Sequence, residues 1–268
     1  NGMKNPKKTI EKIKQIIETG EIKQTQLSKE DDEKIKAIQQ FTTIYAVGPK
    51  KAKELYVTYK LKNIQQLREK LNDFEKPILN NKQLIGLQYY EDLLTRIPRK
   101  EIQQFEQWLQ TIIHNKYENQ IKFTIAGSYR RQKKDSGDID LLITSEVYKN
   151  NEAMKLIIKE MKEAHILKET LAKGKKKFMG IISIDKNPCR HLDIVETTKE
   201  DYPFAILYFT GSGPFNVKMR KNALEQGYSI NEYAMTVKKT GERVNEIFNS
   251  EEDIFTFLNM KYRLPSER

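Results

Sequence analysis

The stretch GSYRRQKKDSGDIDLLIT, residues 127–144, places a small-residue turn and a basic patch ahead of two carboxylates and an apolar run. The apolar run predicts a β-strand, in which alternate side chains point to the same face. Asp138 and Asp140 therefore share a face, and their like charges oppose ionisation of both. Such a placement calls for a positive partner close by.

A second acidic strand is predicted at RHLDIVE, residues 190–196, where Asp193 stands between apolar neighbours. If the two strands pair side by side, three carboxylates meet in a small volume. Carboxylate oxygens bind hard divalent cations, Mg²⁺ above all, and two such ions form a template for in-line phosphoryl transfer. The alternative at this point is that the three aspartates are ordinary strand residues facing solvent.

The residues ahead of Asp138 are suited to an anion. Gly127 and Ser128 follow a predicted strand and leave backbone N–H groups at the start of a helical turn, where phosphate binds readily. Arg130 and Arg131 add planar, forked donors that match phosphate oxygens. A phosphate-binding half next to a metal-binding half indicates a nucleoside triphosphate bound together with Mg²⁺.

The composition is that of a soluble globular protein with an excess of positive charge. Among 268 residues, 48 Lys and Arg exceed 37 Asp and Glu, for a formal net charge of +11. This favours a polyanionic partner such as nucleic acid, although a lysine-rich proteome without such a partner gives the same balance. Cys189 is the only cysteine, which excludes an internal disulfide framework and a zinc site with several cysteines.

Membrane and targeting signals are missing from the sequence pattern. No apolar stretch approaches the roughly 18 residues of a membrane span, so we expect no membrane partner. The first residues, NGMKNPKKTIEKIKQ, contain no signal-peptide core. Because the chain starts at Asn1, we expect it to be part of a longer protein.

The pattern of elements predicts an α+β chain with several lobes. Residues 1–120 are mostly helical in their periodicity. Within residues 96–199 come the short β-rich runs IKFTIAG, DIDLLIT, KKFMGIISI and HLDIVE, with a helix among them. This predicts a small mixed sheet with its helices on one face.

Five motifs in a fixed order resemble family X of the DNA polymerases, within the nucleotidyltransferase superfamily. The stretch at 127–144 is similar to the family's active-site signature. The other four motifs are FTTIYAVGPKKAKELY (41–56), similar to a helix-hairpin-helix, RIPRKE (96–101), YFTGSGPFNVKMRKNALEQGYSINEYAM (208–235) and KYRLPSER (261–268). The resemblance covers essentially the whole chain.

The resemblance implies a multi-lobe α+β fold in four segments. Residues 1–30 would be a remnant of a lyase-type helical domain, and 31–95 a helical DNA-binding subdomain with the helix-hairpin-helix. Residues 96–199 would be the catalytic nucleotidyltransferase palm with its small mixed β-sheet. Residues 200–268 would be a small C-terminal lobe that selects the nucleotide.

The family's chemistry implies two bound Mg²⁺ ions, with Mn²⁺ as a substitute. Asp138 and Asp140 would bridge both ions and the incoming triphosphate. Asp193 would bind the catalytic ion near the primer 3′-hydroxyl and help to deprotonate it. The residues implied to bind the incoming nucleotide are Arg96, Gly127, Ser128, Arg131, Ser136, Gly137, Tyr208, Phe209, Gly211 and Asn216.

Contacts with DNA are implied in two places. Arg220 would contact the template strand, with Glu232 and Tyr233 supporting it when the lobe closes. The residues implied to bind DNA are Arg220, Tyr233, Glu232, Gly48, Lys50 and Lys51. Backbone carbonyls at Thr42, Ile44 and Val47 would hold a monovalent cation at the hairpin.

Three positions depart from the family's pattern. Ala46 stands where a glycine is usual in the hairpin, so the turn is expected to be less permissive. His191 replaces an arginine beside the third aspartate. Lys12 aligns with the lysine that forms a Schiff base in the lyase domain, but most of that domain's sequence has no counterpart here, and an exposed helical lysine is the alternative.

The function that the resemblance implies is template-directed filling of short DNA gaps from dNTPs, with 5′-deoxyribose phosphate lyase activity in a longer protein. Two alternatives stay open: a template-independent nucleotidyltransferase of the terminal transferase type, and a gap-binding scaffold without catalysis. The short connection DKNPCR before HLDIVE favours a templated enzyme. Expected partners are gapped or nicked duplex DNA and repair proteins such as a DNA ligase, for a nuclear monomer.

Overall fold

The structure is a computed structural model that describes residues 29–185 and 187–268. The prediction for Lys12, and nearly all of the predicted segment 1–30, lie outside these residues. The chain divides into two compact units, Asn1–Leu87 and Gln88–Arg268. The predicted segments 96–199 and 200–268 therefore fall within one compact unit.

The described part of the first unit consists of short helices. They are α1 (Lys29–Thr42), α2 (Pro49–Val57), α3 (Ile64–Glu69) and α4 (Asn81–Gln88). Acidic residues fill the first turn of α1, where the helix dipole favours negative charge. The Asn63 side chain caps α3 by accepting the Gln66 N–H. Phe41, Leu55 and Leu67 are fully buried in this unit.

The turn between α1 and α2 is held by α4. Gln83 Nε2 donates to the Ala46 carbonyl at 3.1 Å. Gly86 lies so close to the Tyr45 backbone that an added Cβ would stand 2.5 Å from the Tyr45 carbonyl oxygen. Only glycine permits this approach. Ala46 itself has a φ of 63°, the left-handed conformation that L-residues with a Cβ adopt at a cost.

Replacing Ala46 by glycine should stabilise this turn by about 1 kcal/mol, because glycine adopts the left-handed conformation without the Cβ clash. The measurement is amide hydrogen exchange of α1 and α2 in the full chain, which should slow. Ala52→Gly is the matched control: Ala52 is buried within α2, and a helical glycine there should speed exchange. Faster exchange in Ala46→Gly would contradict the assignment of strain to Ala46.

The second unit contains a five-stranded sheet, two small ribbons and seven α-helices in the described residues. Its helices are α5 (Tyr90–Leu94), α6 (Arg99–Tyr117), α7 (Gly127–Arg130), α8 (Glu152–Glu163), α9 (Tyr202–Thr210), α10 (Gly213–Glu225) and α11 (Glu251–Phe257). Its strands are β1 (Ile97–Pro98), β2 (Lys122–Ile125), β3 (Asp135–Ser136), β4 (Ile139–Thr144), β5 (Leu167–Lys173), β6 (Lys177–Ile182), β7 (Arg190–Thr197), β8 (Tyr228–Ile230) and β9 (Met235–Val237).

The main sheet has the strand order β2-β4-β7-β6-β5, in which β4 and β7 run parallel and the other neighbours run antiparallel. The central parallel pair is the one that carries the acidic motifs. Its register places Asp140 directly opposite Asp193. The predicted pairing of the two acidic strands is therefore present.

The two faces of the sheet have different neighbours. On one face, α6 and α8 pack against Ile139, Leu141 and Ile194 in a buried apolar cluster. On the other face, Leu142 and Val195 pack against residues of α9. Because strand side chains alternate, the apolar face anchors the sheet and leaves Asp140 and Asp193 on the face that α9 covers only in part.

A further apolar cluster surrounds α10 and α11. Phe215 and Met219 of α10 pack with Phe255 of α11 and with Met235 of the β8–β9 ribbon. Ser250 begins α11 with a reciprocal capping box that involves Asp253. This cluster supports the helix that carries Asn216 and Arg220.

The predicted α+β class with a small mixed sheet is confirmed. As expected, α6 and α8 pack on one face of the sheet, and α9 from the following segment packs on the other. The short α7 instead begins beside Asp140. Of the five strands of the main sheet, β5 was missing from the prediction, since its exposed polar residues weaken the apolar signal of an edge strand. The short strands of the two ribbons were not predicted either. Within the described ranges, no helix is long and apolar enough to cross a membrane.

Candidate active site

The carboxylates lie near the N-terminal end of the paired segments of β4 and β7. Asp140 and Asp193 are cross-strand partners on β4 and β7, and they share a face of the sheet. Asp138 lies just before β4 and is exposed. Two of the three predicted ligands are therefore neighbours within the sheet, and the third lies in the loop just before β4.

Asp140 is the most perturbed of these groups. Burial raises its pKa from 3.8 to about 7, with the charges of Asp138 and Asp193 adding to the rise and Arg131 opposing it. The pKa of Asp193 is also raised by burial, although the neighbouring His191 and Lys177 lower it. The site therefore concentrates negative charge that nearby cations only partly offset.

The donor set fits a hard divalent cation. Asp193 Oδ1 is buried and accepts no hydrogen bond within the described part of the chain, and His191 Nε2 is 3.5 Å away from it. A buried, unsatisfied carboxylate oxygen beside a second carboxylate is the environment that Mg²⁺ satisfies. Among residues 29–185 and 187–268, no three His, Cys, Asp or Glu side chains are already arranged as a metal site, so a metal site that includes Asp138 stays a prediction.

Gly127 allows the phosphate-binding turn to approach the carboxylates. Its φ is +54°, and a Cβ there would lie 2.3 Å from Asp140 Oδ2. Any other residue would collide with that carboxylate and would also strain the backbone. The next residue, Ser128, lies in the first turn of α7, and its hydroxyl donates a hydrogen bond to Ser136 Oγ at 2.7 Å. Ser136 is buried, so it holds the Ser128 side chain in position.

Two arginines stand beside this turn. Arg131 Nη1 donates to the Thr210 carbonyl at 2.5 Å, while its Nε is buried and donates no hydrogen bond within the described residues. Arg96 pairs with Asp135 through Nε at 2.9 Å, and its Nη1 is 3.1 Å from where a Cβ of Gly137 would stand. Each guanidinium is thus held by a hydrogen bond on one side. Each has further N–H donors and lines the cavity described next.

One cavity of about 400 Å³ gathers most of the predicted residues. Nine of the ten predicted nucleotide-binding residues line it, together with Asp138 and Asp140; Ser136 alone lies behind the lining. Ser212 and Gly213 also line it, and the sequence analysis did not include them. Their position directly after Gly211 in the same turn was the available signal. A larger cavity of about 750 Å³, at the other end of β4 and β7, contains none of the predicted residues.

Aromatic rings and an amide line another part of the cavity, next to Arg131. The Tyr208 and Phe209 rings meet edge to face, with centroids 5.1 Å apart. Asn216 Nδ2 donates to the Tyr208 carbonyl at 2.8 Å, which holds the amide beside the turn at Gly211. These groups line the same cavity as Asp138, Asp140 and the two arginines, whereas Asp193 is not among its lining residues.

The three predicted template residues are apart in this structure. The Arg220 guanidinium stacks over the Tyr208 ring at 5.1 Å. Glu232 instead pairs with Lys177 at 3.3 Å, and the Tyr233 ring contacts Lys176 at 5.4 Å. Support of Arg220 by Glu232 and Tyr233 therefore stays a prediction about a closed state. Lys176 and Lys177 were not predicted, although the run KKK before β6 marked them.

The helix-hairpin-helix residues lie in the first unit. Gly48 precedes α2 with extended backbone, and a Cβ there would meet nothing within 4 Å. Lys50 is exposed, whereas Lys51 pairs with Glu54 at 2.9 Å. Of the predicted cation ligands, the Ile44 carbonyl already accepts the Val47 N–H at 3.0 Å, and Thr42 ends α1.

Comparison with protein families matches three consecutive parts of the chain. Residues 39–94 match the fingers domain of DNA polymerase lambda, 96–199 the DNA polymerase beta palm, and 205–268 the DNA polymerase beta thumb. The chain belongs to family X of the DNA polymerases. The aspartates of β4 and β7 lie in its palm, and Tyr208, Asn216 and Arg220 lie in its thumb.

Curated relatives of this family X chain include two DNA polymerases and a DNA nucleotidylexotransferase. DNA polymerase lambda of Arabidopsis thaliana is 27% identical over 96% of this chain and 50% of the relative. DNA polymerase lambda of Rattus norvegicus is 26% identical over 98% and 47%. DNA nucleotidylexotransferase of Xenopus laevis is 28% identical over 96% and 56%. The chain spans about half the length of these relatives.

Proposed function

We propose that this chain is the catalytic part of a template-directed DNA polymerase that fills short gaps. The observation that carries the proposal is the cavity that joins Asp138 and Asp140 of the palm to the phosphate turn and to the aromatic turn of the thumb. A dNTP needs these three environments for its metal-bound phosphates, its free phosphates and its sugar and base. The names of the two lambda-type relatives support the polymerase activity.

Divalent metal ions fit this site, and Asp138, Asp140 and Asp193 would hold them. Bound Mg²⁺ or Mn²⁺ supplies charge stabilisation at the reacting phosphate and lowers the pKa of the attacking hydroxyl. Asp193 accepts the proton of the primer 3′-hydroxyl as the general base. The 3′-oxygen then bonds to the α-phosphorus as the bond to pyrophosphate breaks.

The other walls of the cavity bind and select the nucleotide. Arg96, Arg131 and Ser128 bind the β- and γ-phosphates, with the glycines of both turns allowing close approach. Tyr208 and Phe209 lie under the sugar and disfavour a ribose 2′-hydroxyl. Asn216 reads the minor-groove edge of the base once it leaves the Tyr208 carbonyl. Arg220 contacts the template, and Glu232 and Tyr233 join it on closure.

Within this proposal the domain division is 31–95 for DNA binding, 96–199 for the palm and 200–268 for nucleotide selection. Gly48 supports the DNA-binding role because the fold itself does not require glycine there, whereas close approach of a DNA phosphate does. Lys50 adds charge, Lys51 does so after release from Glu54, and a monovalent cation at the Thr42–Val47 turn completes the contact.

Asp193→Ala should abolish extension of a primer on a one-nucleotide-gapped duplex with Mg²⁺, because the site loses a metal ligand and its base. Each dNTP is offered alone, and Asp73→Ala, at an exposed residue of the first unit, is the control that should keep activity. The proposal predicts addition of the template-complementary nucleotide only, by wild type and the control. Full activity of Asp193→Ala would overturn it.

The same experiment with a single-stranded primer tests the second candidate. Similarity to a DNA nucleotidylexotransferase favours template-independent addition, while the short connection of residues 183–189 between β6 and β7 favours templated addition. Extension of the single strand by wild type would establish the former. Gap binding without addition would instead identify a scaffold. A nuclear location and contact with a DNA ligase are further proposals, checked by imaging and co-purification of the whole protein.

A further inference from the structure

A buried cluster of charged side chains lies behind the candidate nucleotide cavity. Glu251, the first residue of α11, has a side chain only 6% exposed. Its carboxylate accepts two hydrogen bonds from Arg130, at 2.6 and 3.0 Å. It also accepts one from Arg268 Nη1 at 2.5 Å. We call Arg130, Glu251 and Arg268 the Glu251 cluster.

Arg268 is held tightly in this cluster. Its side chain is fully buried, and its guanidinium stacks on the rings of Phe215, Phe255 and Tyr262 at 5.3 to 5.5 Å. The Nε donates to the Arg263 carbonyl at 2.9 Å. A guanidinium desolvated on several aromatic faces and paired with a carboxylate is positioned rigidly.

The other end of the cluster reaches the phosphate turn. Arg130 ends α7, and its Nη1 also donates to Thr210 Oγ1 at 2.7 Å. The next residue, Arg131, donates to the carbonyl of the same Thr210 and lines the cavity. Thr210 is fully buried and precedes Gly211. Arg130 and Arg131 thus join the turn of α7 to the residue before Gly211, and the Glu251 carboxylate holds Arg130 in place.

We infer that Glu251 and Arg268 are positioning residues for nucleotide binding, acting through Arg130 and Thr210 on Arg131 and Gly211. Neither Glu251 nor Arg268 is among the residues that line the cavity, so their effect is indirect. The inference rests on the proposed function. It deepens that function, since it names the contacts that hold Arg131, proposed to bind phosphate, in a fixed position relative to Gly211, proposed to lie beside the sugar.

The physical reason is charge balance in a buried place. With Glu251 ionised, the carboxylate pairs with two guanidinium groups. Without it, the two cations repel each other in a place where water screens them only in part, since the Arg130 side chain is 24% exposed. Arg130 must then turn away, and its hydrogen bond to Thr210 is lost with it. The Arg131 guanidinium is oriented by its hydrogen bond to the carbonyl of Thr210. When Thr210 loses its contact with Arg130, the Arg131 donors that would bind phosphate are held less rigidly.

The test is the equilibrium Kd of the complementary dNTP for a complex of the protein with gapped duplex and a dideoxy-terminated primer, so that no addition occurs. Glu251→Gln should raise this Kd about tenfold and Arg268→Ala about threefold, in the range of indirect coupling. In the double variant the effects should not add, because both act through one cluster. In gap filling, KM should rise by the same factors with kcat changed less.

Glu160→Gln is the matched control. Glu160 is another buried carboxylate with two partners, Lys116 and Tyr117, on the opposite face of the sheet. It should leave the dNTP Kd within about twofold, whatever it costs in stability. A wild-type complex that binds no dNTP would overturn the proposed function and this inference together. A wild type that binds, with Glu251→Gln within twofold of it or matched by Glu160→Gln, would overturn this inference alone.

Discussion

Asp140→Asn is expected to abolish nucleotide addition and at the same time to stabilise the metal-free protein. Loss of a carboxylate that would hold the metal ions should lower the rate by about 10³-fold or more, roughly 4 kcal/mol of transition-state stabilisation. The gain in stability follows from the pKa. The folded chain raises the Asp140 pKa from 3.8 to about 7 through burial and through Asp138 and Asp193.

The pH dependence has a definite sign. Between about pH 4 and pH 7 the folded protein keeps the Asp140 proton that the unfolded chain has lost, so the stability of the metal-free wild type falls as the pH rises. Asparagine carries no charge and removes this fall. At pH 8 in a chelator, Asp140→Asn should therefore exceed wild type by about 2 kcal/mol in unfolding free energy.

Chemical denaturation at pH 4 and pH 8, with chelator and with Mg²⁺, measures these effects. Mg²⁺ should stabilise wild type at pH 8 and stabilise Asp140→Asn much less, because the variant lacks the charge that holds the ion. Asp73→Asn, at an exposed aspartate, should change neither activity nor stability. If Asp140→Asn is inactive and also less stable than wild type at pH 8, its inactivity follows from misfolding. That result would contradict the role of Asp140 as a buried carboxylate that holds the metal ions.

Glu101→Ala is expected to have the largest effect on stability. Glu101 on α6 accepts hydrogen bonds from Arg190 Nε at 2.7 Å and from Arg190 Nη2 at 2.9 Å. The two side chains are only 6% and 3% exposed. Removing one partner of a buried ion pair leaves the other charge uncompensated, which costs about 3–5 kcal/mol.

The cost should extend to the active site. Arg190 also donates to the carbonyls of Thr95 and Asp92, at 3.0 and 3.3 Å, so it joins α6 and the end of α5 to the first residue of β7. Asp193 lies three residues further along this strand. Loosening Arg190 should thus lower activity at temperatures where the variant is still folded.

Urea denaturation compares Glu101→Ala with Glu163→Ala, which removes the exposed partner of Lys159. The exposed pair should contribute less than about 0.5 kcal/mol. Replacing both buried partners, with Arg190→Met and Glu101→Leu together, should recover part of the loss because no buried charge remains. A loss below about 1 kcal/mol for Glu101→Ala would contradict the role given to this pair.

Local pattern was enough for the elements that carry the chemistry. The acids ahead of an apolar run predicted a strand, which is present as β4 with Asp140 on it, and the same rule applied to Asp193 on β7. The prediction was wrong for Asp138, which lies just before the first residue of β4. Gly127 and Gly211 predicted the two turns that line the cavity, because glycine favours turns. In the structure each of them has a positive φ. These signals are short-range, so a single sequence contains them.

Contacts between distant segments could not be predicted in this way. Arg190 and Glu101 are 89 residues apart, and Arg130 and Glu251 are 121 apart. Nothing in the local pattern of either residue names its partner. The same holds for Lys177 and Glu232, where the sequence analysis paired Glu232 with Arg220 and the structure pairs it with a lysine of β6.

The residue pattern alone predicted the fold class, the acidic strands, the phosphate turn and the resemblance to a polymerase family, because these depend on side-chain alternation and on the backbone freedom of a few glycines. The folded chain was needed to learn which aspartates face each other, how far burial raises the pKa of Asp140, and which buried carboxylates pair with the arginines. Burial and pairing over long distances depend on the packed sheet and helices, since desolvation and charge pairing exist only after the chain has folded.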